Sequence, residues 1–225
     1  MDRIYDMIQY VRDGDYLSFL IMVLSTCFVV FCCLPIHELA HALIADKLGD
    51  DTARLKGRIT LNPLAHLDII GTVMIFLFGI GYANPVPVNP ARLKHPRRDM
   101  ALIALAGPAS NLIMGFIAVF ISFALDAINT ENVAVTALSY FFWYAASVNV
   151  TLGVFNLLPV PPLDGSRILS SVLPDKAYFK LMKYERYIMI GFMVILFTGV
   201  LNGVIRFISD IMMFVITIIP RVIFG

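Results

Sequence analysis

Two histidines four residues apart, His37 and His41, with Glu38 between them in the order HELAH, are the residues of this chain best equipped for chemistry. On a helix, side chains at i and i+4 stack on one face, so the two imidazoles can hold one metal ion. Neutral imidazole and tetrahedral geometry favour zinc over the hard cations. Glu38 is one residue on, where its carboxylate reaches an activated water rather than the metal and can take its proton. The bland alternative is a pair of histidines satisfied by hydrogen bonds inside a helix bundle. It is costly, because it buries three polar side chains without clear partners.

A catalytic zinc needs a third protein ligand and an open fourth position. Asp164, Asp68, His66, Asp99 and His95 are the candidates. Asp164 lies in NLLPVPPLDGSR, residues 156–167, where Pro159, Pro161 and Pro162 end a helix and Gly165 allows a sharp turn. A carboxylate on such unwound backbone in an apolar setting most needs a cation. The same position also suits an N-cap for a helix beginning near Ser166. His66 reads either as a temporary fourth ligand or as a satisfied loop histidine, and His95, in HPRR, as a solvated residue among headgroup-binding bases.

The elements that must position these groups are membrane helices. HELAH ends a stretch, residues 17–45, with no charge other than Glu38, long enough for a bilayer, which takes about 20 apolar residues. Four long hydrophobic segments emerge, at roughly 17–48, 100–125, 133–158 and 187–219. The last is either one tilted helix or a span followed by an interfacial helix. Gly199 and Gly203 within it have the spacing that lets helices approach closely, which would allow a homo-oligomer. Between the first two segments, residues 57–90 mix strand-forming residues with Asn-Pro, Gly and repeated Pro. Lipid cannot satisfy irregular backbone, so this region is expected to be re-entrant, with short strands and a short apolar helix around 69–80. One more thin span is the alternative.

The fold expected is an all-α polytopic membrane protein of about four long transmembrane helices plus that re-entrant strand and short-helix element. The 225 residues are 59% hydrophobic with a mean hydropathy of +0.82, which fits one membrane domain over 1–225 with an N-terminal segment at 1–16. That segment is acidic and lacks the basic region of a cleaved leader. A net charge of +1 suggests no nucleic-acid partner. Thirteen of the seventeen Lys and Arg fall on one side of the proposed spans, from Lys47 to Arg98 and from Arg167 to Arg186. The positive-inside rule makes that side cytoplasmic and puts HELAH near it, in the cell membrane. The acidic loop 126–132 falls opposite. Cys27, Cys32 and Cys33 share the first helix with no CxxC motif and read as buried apolar residues.

With these motifs in place, the chain resembles the site-2 protease family of intramembrane zinc metalloproteases. HELAH on one helix and NLLPVPPLDG entering from a later one carry the resemblance, and RITLNPLAHLD, ANPVPVNP and PRRDMALIALAGPASN are similar to the short prokaryotic members. It covers about residues 16–175. It implies one zinc on His37, His41 and Asp164, Glu38 as general base, and Asn156 as a residue that binds substrate or steadies the oxyanion. No PDZ-like insertion is present, which suggests a near-minimal catalytic core.

The reaction expected is hydrolysis of a peptide bond in or near the transmembrane segment of a membrane protein, in the sense of regulated intramembrane proteolysis. Such a substrate must unwind first, and either the strand-like stretch 57–63, with Asn62 in it, or the extended Pro-rich stretch 83–90 is expected to clamp it by strand addition, the first being favoured because Pro85, Pro87 and Pro90 weaken the second. Asn111 in AGPASN and His66 are further candidates for substrate contact. A membrane metal transporter or metal-binding protein is the rival class. Against it, the other half of the first helix offers only Ser18, Ser25 and Thr26 as polar steps along a pathway.

Overall fold

In the computed structural model the described residues are 2–128 and 131–224, and the side chains of Asp2, Arg3, Asp175, Tyr178, Phe179, Met182, Met193 and Phe197 are not among them. Residues 129 and 130 of the acidic loop therefore lie outside the description. Among the described residues the secondary structure is helical throughout. In chain order the longer helices are α1 (Asp2–Arg12), α2 (Tyr16–Lys47), α3 (Ile69–Phe78), α4 (Pro96–Asp126), α5 (Val133–Asn156), α6 (Asp164–Val172), α7 (Asp175–Thr198) and α8 (Asn202–Phe224). Four of them, α2, α4, α5 and α8, are long and apolar enough to cross a membrane.

The α4–α5 hairpin is the centre of the bundle, and small residues explain how closely it packs. A side chain at Gly115 would meet Val150, and one at Gly153 would meet Asn111 and the Pro108 carbonyl. Buried hydroxyls tie the helices together where lipid offers no water: Ser122 Oγ donates to the Ser139 carbonyl at 3.1 Å, and Ser25 Oγ to the Phe141 carbonyl at 3.0 Å. Apolar residues such as Leu20, Leu24, Ile113, Ile117 and Phe207 point outward, as a lipid-facing surface requires.

The first helix departs from a uniform α-helix. Over Val29–Cys33 it widens into a π turn, with the Leu34 N–H bonded to the Val29 carbonyl. One extra residue rotates everything beyond it by about 100°. HELAH begins one turn later, so its facing depends on a feature that simple helical spacing does not register. Cys33 is buried in the core, but Cys32 is exposed and Cys27 half-buried, which corrects the expectation that all three are buried.

Two further expectations change. Strands were expected in 57–90, yet 57–63 is irregular and leads into a short 3-10 turn at Pro63–Ala65 capped by Asn62. A lone edge needs a partner to pair with, and among the described residues no strand lies beside it. The expected short helix is α3. Asp68 caps it by accepting from Gly71 N–H at 2.9 Å, and Gly79 ends it at φ 76°, where a left-handed conformation suits glycine. The chain then turns back along α3: Gly71 lies directly against the Tyr82 backbone, and Asn84 N–H reaches the His66 carbonyl at 2.7 Å. Segment 187–219 is two helices, because Gly199 caps α7 at φ 74°. Gly199 and Gly203 thus fall on either side of that break and form no single helical stripe for self-association.

Candidate functional site

The site is assembled from three elements: the second half of α2, the middle of α4 and the start of α6. On α2, His37, Glu38 and His41 are all buried, at 3%, 6% and 8% exposure. Their Nε2 atoms stand 3.1 Å apart. Asp164 Oδ2 is 3.3 Å from each. Two imidazole nitrogens and a carboxylate oxygen so close together can hold a cation among them. Zinc bonds of about 2.0–2.1 Å at tetrahedral angles place ligand atoms about 3.3–3.4 Å apart, so the triangle fits zinc. Among the described residues no other group of His, Cys, Asp and Glu converges in this way.

Local folding explains each position. His41 Nδ1 lies 2.7 Å from the Ile103 carbonyl of α4, which fixes the ring with Nδ1–H donating and the Nε2 lone pair aimed inward. Asp164 is the first residue of α6, and Leu163 occupies the cap position. Its carboxylate therefore turns to the imidazoles instead of capping the helix. It remains 22% exposed, which gives the site an opening to water.

The other ligand candidates are engaged elsewhere. Asp68 caps α3, and Asp99 accepts from the His95 N–H and the Arg98 guanidinium. His95 is exposed. His66 is fully buried, with Nε2 2.9 Å from the Thr60 carbonyl, and Asn62 Oδ1 is occupied by the Leu64 N–H. Asn111 is buried one turn along α4 from Gly107, and its Nδ2 has no protein partner. Asn156 ends α5, and the next residue, Leu157, has its carbonyl against Gly165, the neighbour of Asp164.

Spacing did not reveal Gly107. A Cβ there would strike the facing rings of His41 and His37, so α4 can approach the metal triangle only with glycine at this position. The signal available was its place in AGPASN, just before Pro108. Gly107→Val should lower zinc affinity about tenfold or more, by analogy with other residues that orient metal ligands. Zinc retention during dialysis against a graded chelator checks this, and wild-type retention would contradict it.

Comparison with known proteins adds a second line. The model of peptidase family M50 matches residues 123–199. The protein named "Putative zinc metalloprotease YwhC" from Bacillus subtilis (strain 168) is 46% identical over 164 residues, covering 72% of this chain and 75% of that protein. "Putative zinc metalloprotease Rip2" of Mycolicibacterium smegmatis (strain ATCC 700084 / mc(2)155) is 27% identical over 201 residues, covering 85% of this chain and 73% of the relative. "Zinc metalloprotease MJ0392" of Methanocaldococcus jannaschii (strain ATCC 43067 / DSM 2661 / JAL-1 / JCM 10045 / NBRC 100440) is 29% identical over 157 residues, covering 69% and 36%. No solved structure matches the chain.

Proposed function

The chain belongs to peptidase family M50, a zinc metalloendopeptidase in a multi-pass membrane protein, and from that premise we propose that it cuts within or beside the transmembrane segment of a membrane protein. The observation that carries the reading is the triangle of His37, His41 and Asp164 beside Glu38, in the second half of a 32-residue apolar helix. A site on such a helix supports a substrate that shares the membrane with it.

In this reading His37, His41 and Asp164 hold the metal. Zinc, when bound, supplies a Lewis acid that polarises the peptide carbonyl and acidifies water. Glu38 takes the proton from water and delivers it to the leaving amine. Asn156, at the end of α5, donates to the substrate carbonyl as negative charge develops on its oxygen. Asn111, with a buried unpartnered amide, and Asn62, exposed on the irregular stretch before α3, are the further polar groups assigned to substrate, whereas His66, fully buried against the Thr60 carbonyl, steadies that stretch.

Residues 1–225 form one membrane domain in this account. The α3 hairpin is re-entrant: ten residues rise about 15 Å, too little to cross a bilayer. The excess of Lys and Arg on the loops beside α2's C-terminus and α4's N-terminus supports a site facing the cytoplasm, in the cell membrane. A single-pass reporter with an Asn-Pro-weakened transmembrane segment, reconstituted with the protein in vesicles, tests the function. Cleavage should stop with phenanthroline and return with added zinc. Cleavage indifferent to the chelator would contradict the proposal.

A further inference from the structure

A Pro-rich strap, residues 84–90, crosses the general base, and its middle amide bonds to it: Val86 N–H donates to Glu38 Oε2 at 3.2 Å. Pro85 and Pro87 on either side have no N–H to offer. Val86 is therefore the one donor that this ANPVPVNP stretch presents between Asn84 and Val88.

Both ends of the strap are anchored. At one end Asn84 N–H bonds to the His66 carbonyl at 2.7 Å and the Asn84 carbonyl accepts from the Arg58 guanidinium at 2.6 Å. At the other, Asn89 N–H donates to Asp50 Oδ2 at 2.6 Å. Asp50 itself is fully buried, in the turn where Gly49, at φ 106°, ends α2. Its other oxygen accepts from the Thr52 N–H at 3.1 Å and from the Thr52 hydroxyl. Beyond the clasp, Arg92 pairs with Asp51, and Leu93 is buried against Ala45 and Ile103. The helix that carries His37, Glu38 and His41 thus holds, through its own C-terminal turn, the strap that returns to Glu38.

We propose that Asp50 is a positioning residue for the hydrolytic reaction: by clasping Asn89 it fixes the strap so that the Val86 amide holds the Glu38 carboxylate in the orientation from which it receives the proton of water. The proposal rests on Glu38 being the general base. A carboxylate on a flexible side chain has two oxygens and several rotamers, and one fixed amide selects a single arrangement. The amide is a backbone donor, so its aim depends on the anchors of the strap and not on the identity of the Val86 side chain. Burial works against the charge of Asp50, but the Thr52 hydroxyl, the Asn89 and Thr52 amides and Arg92 hold its carboxyl below the usual carboxylate range. At neutral pH it is an ionised acceptor, which makes the clasp a charge-assisted hydrogen bond.

The test uses the full chain in vesicles with the Asn-Pro-weakened reporter. Val86→Pro removes the amide and Asp50→Ala removes the clasp. Each should lower kcat by about tenfold to a hundredfold, the scale of a misplaced catalytic group, with KM within about twofold and one zinc per chain retained. Val86→Ala, which keeps the N–H, should recover most of the rate, and Asp50→Asn, which keeps one acceptor for Asn89 but loses the charge and turns its NH2 toward the Thr52 N–H, should fall between Asp50→Ala and wild type. A full kcat in Val86→Pro, an effect on KM alone, or no rescue by Asp50→Asn would overturn the proposal. If Glu38→Gln were active, the general-base reading would fail first, whereas a fully active Val86→Pro beside an inactive Glu38→Gln would refute the strap alone. Hydrogen exchange provides a measurement without altering the strap. Residues 84–90 have few exchangeable amides because three are proline, and their exchange should accelerate in Glu38→Ala while that of 58–66 stays unchanged. Unchanged exchange in 84–90 also contradicts the inference.

Discussion

Glu38→Gln should leave zinc bound and remove cleavage of a membrane reporter, with a loss of about 10²–10⁴ in rate, the usual contribution of general acid–base catalysis. The substitution is nearly isosteric, and a glutamine oxygen can still accept from the Val86 N–H that bonds Glu38 at 3.2 Å. The three donors of the metal triangle are untouched. What disappears is the ability to accept a proton at neutral pH. Zinc content by atomic absorption and turnover on the same sample separate the two roles. Turnover close to wild type would remove Glu38 as the base, and loss of zinc would make it a ligand.

Asp164→Ala should do the reverse and empty the site. Two imidazoles alone leave a four-coordinate zinc short of protein ligands, so zinc should fall well below one per chain after dialysis and cleavage should be lost with it. The effect should not come from unfolding. Asp164 sits in the first turn of α6, where an acid is worth about 0.3–1 kcal/mol to the helix, a small part of a domain's stability. Helical content by circular dichroism should therefore match wild type. One zinc per chain in Asp164→Ala would mean that another residue completes the site.

Much of this site was legible in the sequence, because its parts are local. The His37, Glu38 and His41 arrangement follows from helical spacing, and the prolines before Asp164 signal broken helix. The short helix α3 was legible for the same reason, as an apolar run between Asp68 and Gly79. What was hidden depends on partners distant in sequence. Nothing in GDD marks Asp50 as the buried clasp of a strap 39 residues away, and Gly107 matters only because α4 lies against two imidazoles on α2. The π turn at Val29–Cys33 leaves no signature in composition. The 57–63 stretch misled for a physical reason: its Ile and Thr suit a strand, but a strand needs a partner for its backbone groups.

Zinc K-edge X-ray absorption of the protein in vesicles, wild type beside Asp164→Ala, decides whether His37, His41 and Asp164 hold the metal. Wild type should show a light-atom shell at about 2.0–2.1 Å with scattering from two imidazoles and no sulfur. In Asp164→Ala the bound zinc and that spectrum should be lost. A sulfur shell near about 2.3 Å, or an Asp164→Ala spectrum identical to wild type, would contradict that ligand set.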